Sequence, residues 1–298
     1  MTFVEGPVRV SVPATSANLG PGYDALGLAL DLRDVLTVEV TGDELSVSVA
    51  GHGAADLALD ESHLVVRAMR AGFEAMNAHP AGLRLACENH IPHARGLGSS
   101  SAAIVGGIAA ARALVAGGSL LLDDQAVFAL AADLEGHPDN VAPAVFGGLT
   151  IAGREDDAWF AVSAAVDPRI STVVFVPPHG VETRTARGLL PDEVAHADAA
   201  ANAGRVGLLV AALNAQPEHL HLATRDWLHQ DFREPAMPES LALARSLRGE
   251  GIPAVVSGAG PTVLAFDTVV PVDELVRRCP DGWEALPLAI DPSGVRVV

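Results

Sequence analysis

Residues 91–103, IPHARGLGSSSAA, join a glycine loop, a run of hydroxyls and the opening of an apolar helix. Pro92 breaks the preceding strand and Gly96 and Gly98 loosen the backbone. Ser99, Ser100 and Ser101 then supply three hydroxyls ahead of the run AAIVGGIAAARAL. A helix start carries unpaired backbone N–H groups and about half a positive charge. Glycines let the main chain approach a ligand closely, so such a loop feeding a helix forms an anion cradle. Its hydroxyls can bond phosphate oxygens or ligate Mg²⁺. The same residues also suit a plain glycine turn with a serine capping a core helix. Taken alone, the stretch leaves both readings open.

Two further stretches bear on the choice. In VPATSANLGPGYDALGLAL, residues 12–30, the small or polar Ala14, Thr15, Ser16 and Asn18 sit beside Gly20-Pro21-Gly22, then Asp24 precedes an apolar run. Strand alternation is lost there, which fits a loop lining a site as well as a simple strand–loop–strand connection. In VSGAGPTVLAF, residues 256–266, a strand opens into Gly258-Ala259-Gly260-Pro261 and returns to strand.

The elements that must hold these stretches follow from periodicity. Residues 8–12 read as a strand ending at Pro13, followed by strands over 28–40 and 45–50, a helix over 62–78 and a strand over 82–91. Helices are expected at 99–116, 123–135 and 139–146, then strands at 148–152, 159–164 and 172–176. The remainder reads as helices at 191–215 and 238–249, a strand pair around 253–266, a helix at 271–279 and a strand at 284–290. The class is α+β in two layers. A chain of 298 residues suits two domains. A break at Val166-Asp167-Pro168 gives 1–166 and 167–298.

Composition narrows the chemistry. The net charge is −18, from 37 acidic and 19 basic residues, and the longest basic run is Arg277-Arg278. Nucleic acid and an anionic membrane surface are therefore not expected partners. All 19 basic residues are arginine. With no lysine, a Walker-type phosphate loop and a pyridoxal Schiff base are both excluded. Cys87 and Cys279 match no metal or redox spacing. No basic-then-apolar leader opens the chain and the most apolar stretch, 102–122, is broken by Arg112 and glycines, so a cytoplasmic protein is expected.

In this order, the three glycine-bearing stretches resemble the motifs of the GHMP kinase family of small-molecule kinases. Its central motif, Pro-x-x-x-Gly-Leu-Gly-Ser-Ser-Ala, is matched by PHARGLGSSSA, residues 92–102, with Ser101 where the family often has alanine. The three motifs fall in family order over residues 13–266. The resemblance implies an N-terminal domain similar to domain 2 of ribosomal protein S5 and a ferredoxin-like C-terminal domain. It also accounts for the missing lysine, since the family loop holds ATP with amides and hydroxyls. ATP-binding residues by this resemblance are Pro92, His93, Ala94, Arg95, Gly96, Leu97, Gly98, Ser99, Ser100, Ser101 and Ala102.

Within the family, four segments resemble the homoserine kinase branch: PATSANLGPGYDALGLAL, with Tyr23 where phenylalanine is frequent, EGHPDNVAPAVFGGL, TRTARGLLP and HQDFRE. L-homoserine, with an ammonium, a carboxylate and a primary hydroxyl, is then the expected acceptor. Arginine forks grip carboxylates best, which points to Arg187 and Arg233. Asp24 would orient the hydroxyl or ammonium end, and Asn18, His137, Asn140 and Gly260 would complete the lining. Asp24, Asn140 and Arg187 are the expected catalytic group, and Ser100 and Glu135 the expected Mg²⁺ ligands. The resemblance leaves room for a homodimer. Another acceptor, of mevalonate or sugar type, and a non-catalytic ligand sensor on the same fold are the rival readings.

Overall fold

Val8, Val10 and Val12 alternate with polar residues, and the strand they begin, β1 (Val8–Ala17), pairs antiparallel with β2 (Leu26–Thr41). In this computed structural model, which describes residues 1–42 and 44–298, β1 does not stop at Pro13. The register shifts between Pro13 and Ala14 and the strand runs on to Ala17. A bulge accommodates the proline, which has no N–H to give the ladder. Alternation fails over this stretch because the strand is buried on both faces, with Ala14, Thr15 and Ser16 fully covered. Only residues 18–25 form the connection.

β3 (Ser46–Gly51) runs parallel to β4 (Gly82–Asn89), which pairs with β2. β5 (Leu149–Glu155) pairs with the start of β2 and with β6 (Ala158–Ala164). Helices α2 (Ser99–Leu114) and α5 (Val141–Phe146) pack against this sheet, α4 (Asp124–Glu135) lies on α2 and reaches β6, and α1 (Leu64–Ala75) and the short α3 (Gly118–Leu121) pack on α2. Alanine and glycine make α2 thin enough to be buried on most sides, from Ser101 and Ala102 through Ile108 to Leu114. Asp34 fixes the chain where β4 turns toward α2: one carboxylate oxygen accepts from the amides of His90 and Ile91, at 2.6 and 2.9 Å.

The second sheet holds β7 (Thr172–Val176), β8 (Ala254–Val256), β9 (Val263–Phe266) and β10 (Glu284–Leu288), in the order β10-β7-β9-β8 and antiparallel throughout. Helices α6 (Thr183–Arg187), α7 (His196–Asn214), α8 (Leu220–Ala223) and α9 (Pro238–Gly249) link β7 to β8, and α10 (Val272–Val276) links β9 to β10. With the first and third strands central, this is the ferredoxin-like path, and the α+β expectation holds. The last strand, β11 (Arg296–Val297), returns to the first sheet beside β1. That return is held by Arg33, which is ion-paired with Asp291 and donates to the carbonyls of Ser11 and Gly294 at 2.9 and 2.7 Å.

Some boundaries differ from expectation for local reasons. The helix expected from residue 191 begins at His196, since residues 191–195 are exposed and have no tertiary support. The helix expected to reach 279 ends at Val276, because the residue before Pro280 is biased away from helical backbone. α6, α8 and the 3₁₀ segment Asp231–Ala236 are too short to show a period.

One contact ties the sheet to the candidate site. A Cβ on Gly27 of β2 would stand 1.9 Å from the carbonyl oxygen of Asp139, so the turn before α5 rests directly on the strand. Gly27→Ala forces that turn outward and is expected to lower unfolding free energy by about 1–3 kcal/mol. The urea midpoint measures this, and an unchanged midpoint would show the turn to be freely movable.

Candidate active site

Residues from both halves of the chain converge on a cavity of about 270 Å³ at the N-terminus of α2. The helix opens at its N-cap Gly98, whose backbone is left-handed at φ 69°, and no side chain among the described residues caps it. The first closing bond runs from the Ala102 amide to the Gly98 carbonyl at 2.8 Å, so the amides of the first turn remain open to a ligand. Glycine is required at 98: a Cβ would lie 1.9 Å from the Thr15 hydroxyl oxygen. The Thr15 hydroxyl in turn donates to Asn140 Oδ1 at 2.8 Å, which fixes the amide of Asn140 beside the helix start.

Carboxylates approach the loop from the end of α4 and the following turn. Ser100 and Ser101 both donate to Glu135 Oε1, at 2.6 and 2.9 Å. His137 stands with Nδ1 3.3 Å from Asp139 Oδ1, a charge contact rather than a well-aligned hydrogen bond. Burial alone would lower the imidazole's affinity for a proton. The Asp139 and Glu135 carboxylates outweigh that and hold it above its ordinary value.

The opposite wall is cationic. Arg187, at the end of α6, donates from Nη1 and Nη2 to the two oxygens of Asp24 at 3.0 and 2.8 Å, and from Nη1 to the Tyr23 hydroxyl at 2.8 Å. Asp24 has a left-handed backbone, φ 53°, and its amide donates to Asn18 Oδ1 at 2.9 Å. Asn18 is anchored across the halves by donating from Nδ2 to the Gly258 carbonyl at 2.8 Å. Arg233 is 1% exposed. Its Nη1 donates to the Gly258 carbonyl at 3.0 Å and to His229 Nδ1 at 3.1 Å. That bond makes Nδ1 the acceptor, so the proton sits on Nε2 and is donated to the Gly20 carbonyl, 2.7 Å away. Burial keeps His229 neutral by lowering its pKa, and it weakens the Arg233 proton affinity too. The Tyr23 ring lies between the two guanidinium groups, 5.7 Å from Arg187 and 5.6 Å from Arg233.

The chain matches the model of the GHMP kinases N terminal domain over residues 63–148. It is 53% identical to a curated homoserine kinase of Streptomyces avermitilis over 99% of this chain and 97% of that protein. A homoserine kinase of Clavibacter michiganensis is 48% identical over 97% of this chain and 93% of that one. The chain belongs to the GHMP kinase family, in its homoserine kinase branch. The fold agrees: the crystal structure of homoserine kinase from Cytophaga hutchinsonii superposes with a TM-score of 0.87, covering 100% of this chain and 99% of that one at 23% identity.

In this GHMP kinase, the cavity brings together Asn18, Ala94, Gly96, Gly98, Ser99, Ser100, Glu135, His137, Asn140, Arg187 and Arg233 of the residues singled out from sequence. Asp24 borders it through Arg187. Leu97, Ser101 and Ala102 turn into the interior beneath the helix start, and Pro92 is buried as well. Arg95 points away: it donates to the carbonyls of His93, Pro177 and Pro178, which clamps the loop to the end of β7. His93 borders an adjoining cavity of about 200 Å³ lined by Leu57, His63, Leu64, Val65 and Asn89, and sharing Ser99 and Ser100. Gly260 packs against Met237 and Val256 rather than lining the main cavity. Sequence reasoning did not single out Thr183, which lines the cavity, nor His229. Thr183 lies in the quoted TRTARGLLP segment, and that was its only signal.

The raised pKa of His137 has a sign. The folded state favours the charged imidazole, so its stabilising contribution is complete below 6.5 and disappears as pH rises through the folded value. Unfolding free energy should therefore differ more between wild type and His137→Gln at about pH 6 than at about pH 8.5. Equal differences at both would remove the Asp139 and Glu135 attraction from the account.

Proposed function

We propose that this cavity holds L-homoserine beside the triphosphate of ATP and transfers the γ-phosphoryl group to the side-chain hydroxyl. The products are O-phospho-L-homoserine and ADP, a step of threonine biosynthesis. Arg233 carries this reading. Its guanidinium is buried, has no carboxylate partner and leaves Nε and Nη2 without hydrogen bonds among the described residues. An unpaired buried cation is costly, and an anionic ligand beside Arg233 and Arg187 offsets that cost. The Asp24 carboxylate next to Arg187 asks for a positive group on the same ligand. An α-amino acid offers both charges from one carbon. A sugar offers neither, and mevalonate offers a carboxylate alone.

The roles follow from these placements. Arg187 and Arg233 take the carboxylate, Asp24 takes the ammonium, and Asn18 keeps Asp24 in place. The side-chain hydroxyl then extends toward Gly98 and Asn140, where the free Asn140 amide steadies it. His137 and Thr183 complete the wall. The triphosphate lies on the amides of 96–101, with Ser99 on a phosphate oxygen and residues 1–166 supplying most of that surface. The apolar adjoining cavity suits the nucleotide base. There His63 is buried with both ring nitrogens unpartnered, ready to meet the base edge.

The hydroxyl oxygen attacks the γ-phosphorus as the bond to the β–γ bridging oxygen breaks, and the hydroxyl proton passes to a phosphoryl oxygen. Positioning and charge stabilisation supply most of the acceleration in such transfers, so no strong side-chain base is required. Oxygen donors suit Mg²⁺, which takes one or two protein ligands alongside phosphates and water. Ser100 and Glu135 meet that description and would hold it, with the second hydroxyl bond from Ser101 keeping Glu135 in place. When bound, Mg²⁺ neutralises charge on the phosphate oxygens. No helix among the described residues is long and apolar enough to cross a membrane. The free cysteines Cys87 and Cys279 accord with a cytoplasmic setting.

ADP release by purified protein, dependent on L-homoserine and Mg²⁺ and absent with mevalonate or galactose, tests the assignment. Losing a bond to a charged group costs about 1.5–3 kcal/mol. Arg187→Ala should therefore raise KM for homoserine about 10–150-fold and leave KM for ATP nearly unchanged. An equal loss for both substrates would indicate a damaged fold. Asp24→Asn should lower kcat/KM for homoserine by well over twofold, and a smaller change would take Asp24 out of the site.

A further inference from the structure

The end-on fork of Arg187, formed by Nη1 and Nη2, is already filled. Both terminal nitrogens engage Asp24, at 3.0 and 2.8 Å, and Nη1 also meets the Tyr23 hydroxyl. Each oxygen of Asp24 accepts one of these bonds. A carboxylate therefore takes the end-on fork of Arg187 only once Asp24 leaves it, and the departure of Arg187 leaves Asp24 without its cation. The pair joins the connection after β1 to α6, so it bridges the two halves beside the cavity that Arg187 lines. Each side chain is about one-third exposed, 35% for Arg187 and 36% for Asp24, so an incoming solute can reach the pair.

We infer that the Asp24–Arg187 ion pair is a stand-in for the substrate in the amino-acid subsite and is exchanged for it on binding. This rests on the amino-acid reading of the cavity. The substrate carboxylate replaces that of Asp24 on Arg187, and the substrate ammonium replaces Arg187 on Asp24, so two ion pairs form where one is broken. The Tyr23 hydroxyl stays on Nη1 through the exchange and keeps the fork turned toward the cavity. Asp24 keeps its place because its amide is tied to Asn18. The exchange makes the site selective for zwitterions. A ligand with one charge breaks the resting pair and leaves one partner unmatched, and leaving a partly buried charge without its partner is penalised.

The exchange predicts a reversal that simple contact loss does not. Calorimetry would compare L-homoserine with 4-hydroxybutanoate, which lacks the ammonium, and 3-aminopropan-1-ol, which lacks the carboxylate. Asp24→Asn frees Arg187, so 4-hydroxybutanoate should bind this variant about tenfold more tightly than wild type, while homoserine binds at least tenfold more weakly. Arg187→Gln should likewise improve binding of 3-aminopropan-1-ol and weaken homoserine. Unaltered ATP affinity and unfolding midpoints establish that both variants are folded. If neither single-charge ligand gains affinity in its matching variant, the exchange is wrong even where homoserine is phosphorylated normally. If wild type shows no homoserine-dependent ADP release, the amino-acid reading itself falls.

Discussion

The uncapped first turn of α2 is the constraint on which the site is built. Its amides have no partner among the described residues, and Gly98 ahead of them is left-handed. Supplying those amides with an anion satisfies them and sets a negative charge against the positive end of the helix dipole. This matters more here than in a basic protein. The chain carries a net charge of −18 and no lysine, so its overall field repels a nucleotide. Affinity for phosphate must come from local features. The helix start on one wall offers its open amides, and Arg187 with Arg233 make the facing wall cationic.

The surroundings of that helix start are held by contacts between distant parts of the chain. Asn18 donates to Gly258, the Ser257 hydroxyl contacts both Ser16 and Gly96, and Arg95 reaches the end of β7. These ties pin the loop between the two sheets, so the helix start and the arginine wall of the cavity share one frame. Arg233 shows the same economy of means. His229 accepts from it, and the buried ring then donates onward to Gly20, so one histidine orients the arginine and secures the glycine turn.

Much of the fold was legible because it depends on local period. Apolar alternation marked β3, and the Ala- and Ile-rich run after the serines marked α2 within two residues of its end. The end of β1 was misread at Pro13, since a bulge that absorbs a proline leaves no trace in an alternation pattern and a strand buried on both faces shows none. Of the residues singled out from sequence, Asn18, Ala94, Gly96, Gly98, Ser99, Ser100, Glu135, His137, Asn140, Arg187 and Arg233 line one cavity, whereas Asp24, Gly260 and the rest of the loop do not. Their types are those that bind phosphate, carboxylate or metal. The direction of the Arg95 guanidinium was not legible, because side-chain direction is settled by acceptors some eighty residues away in sequence.

By itself the sequence determined the glycine loop that opens α2, the exclusion of lysine chemistry and the membership of a kinase family, all of which rest on residue types and short spacings. Glycine at a positive φ and free amides at a helix start are local properties, written within a few residues. Tertiary structure decided who meets whom: Ser101 with Glu135, Tyr23 between two arginines, and Asp24 on the fork of Arg187. Those pairings join residues separated by as much as most of the chain. They form only once two sheets have closed on a shared cavity, where burial makes each unpaired charge costly enough to dictate its neighbour.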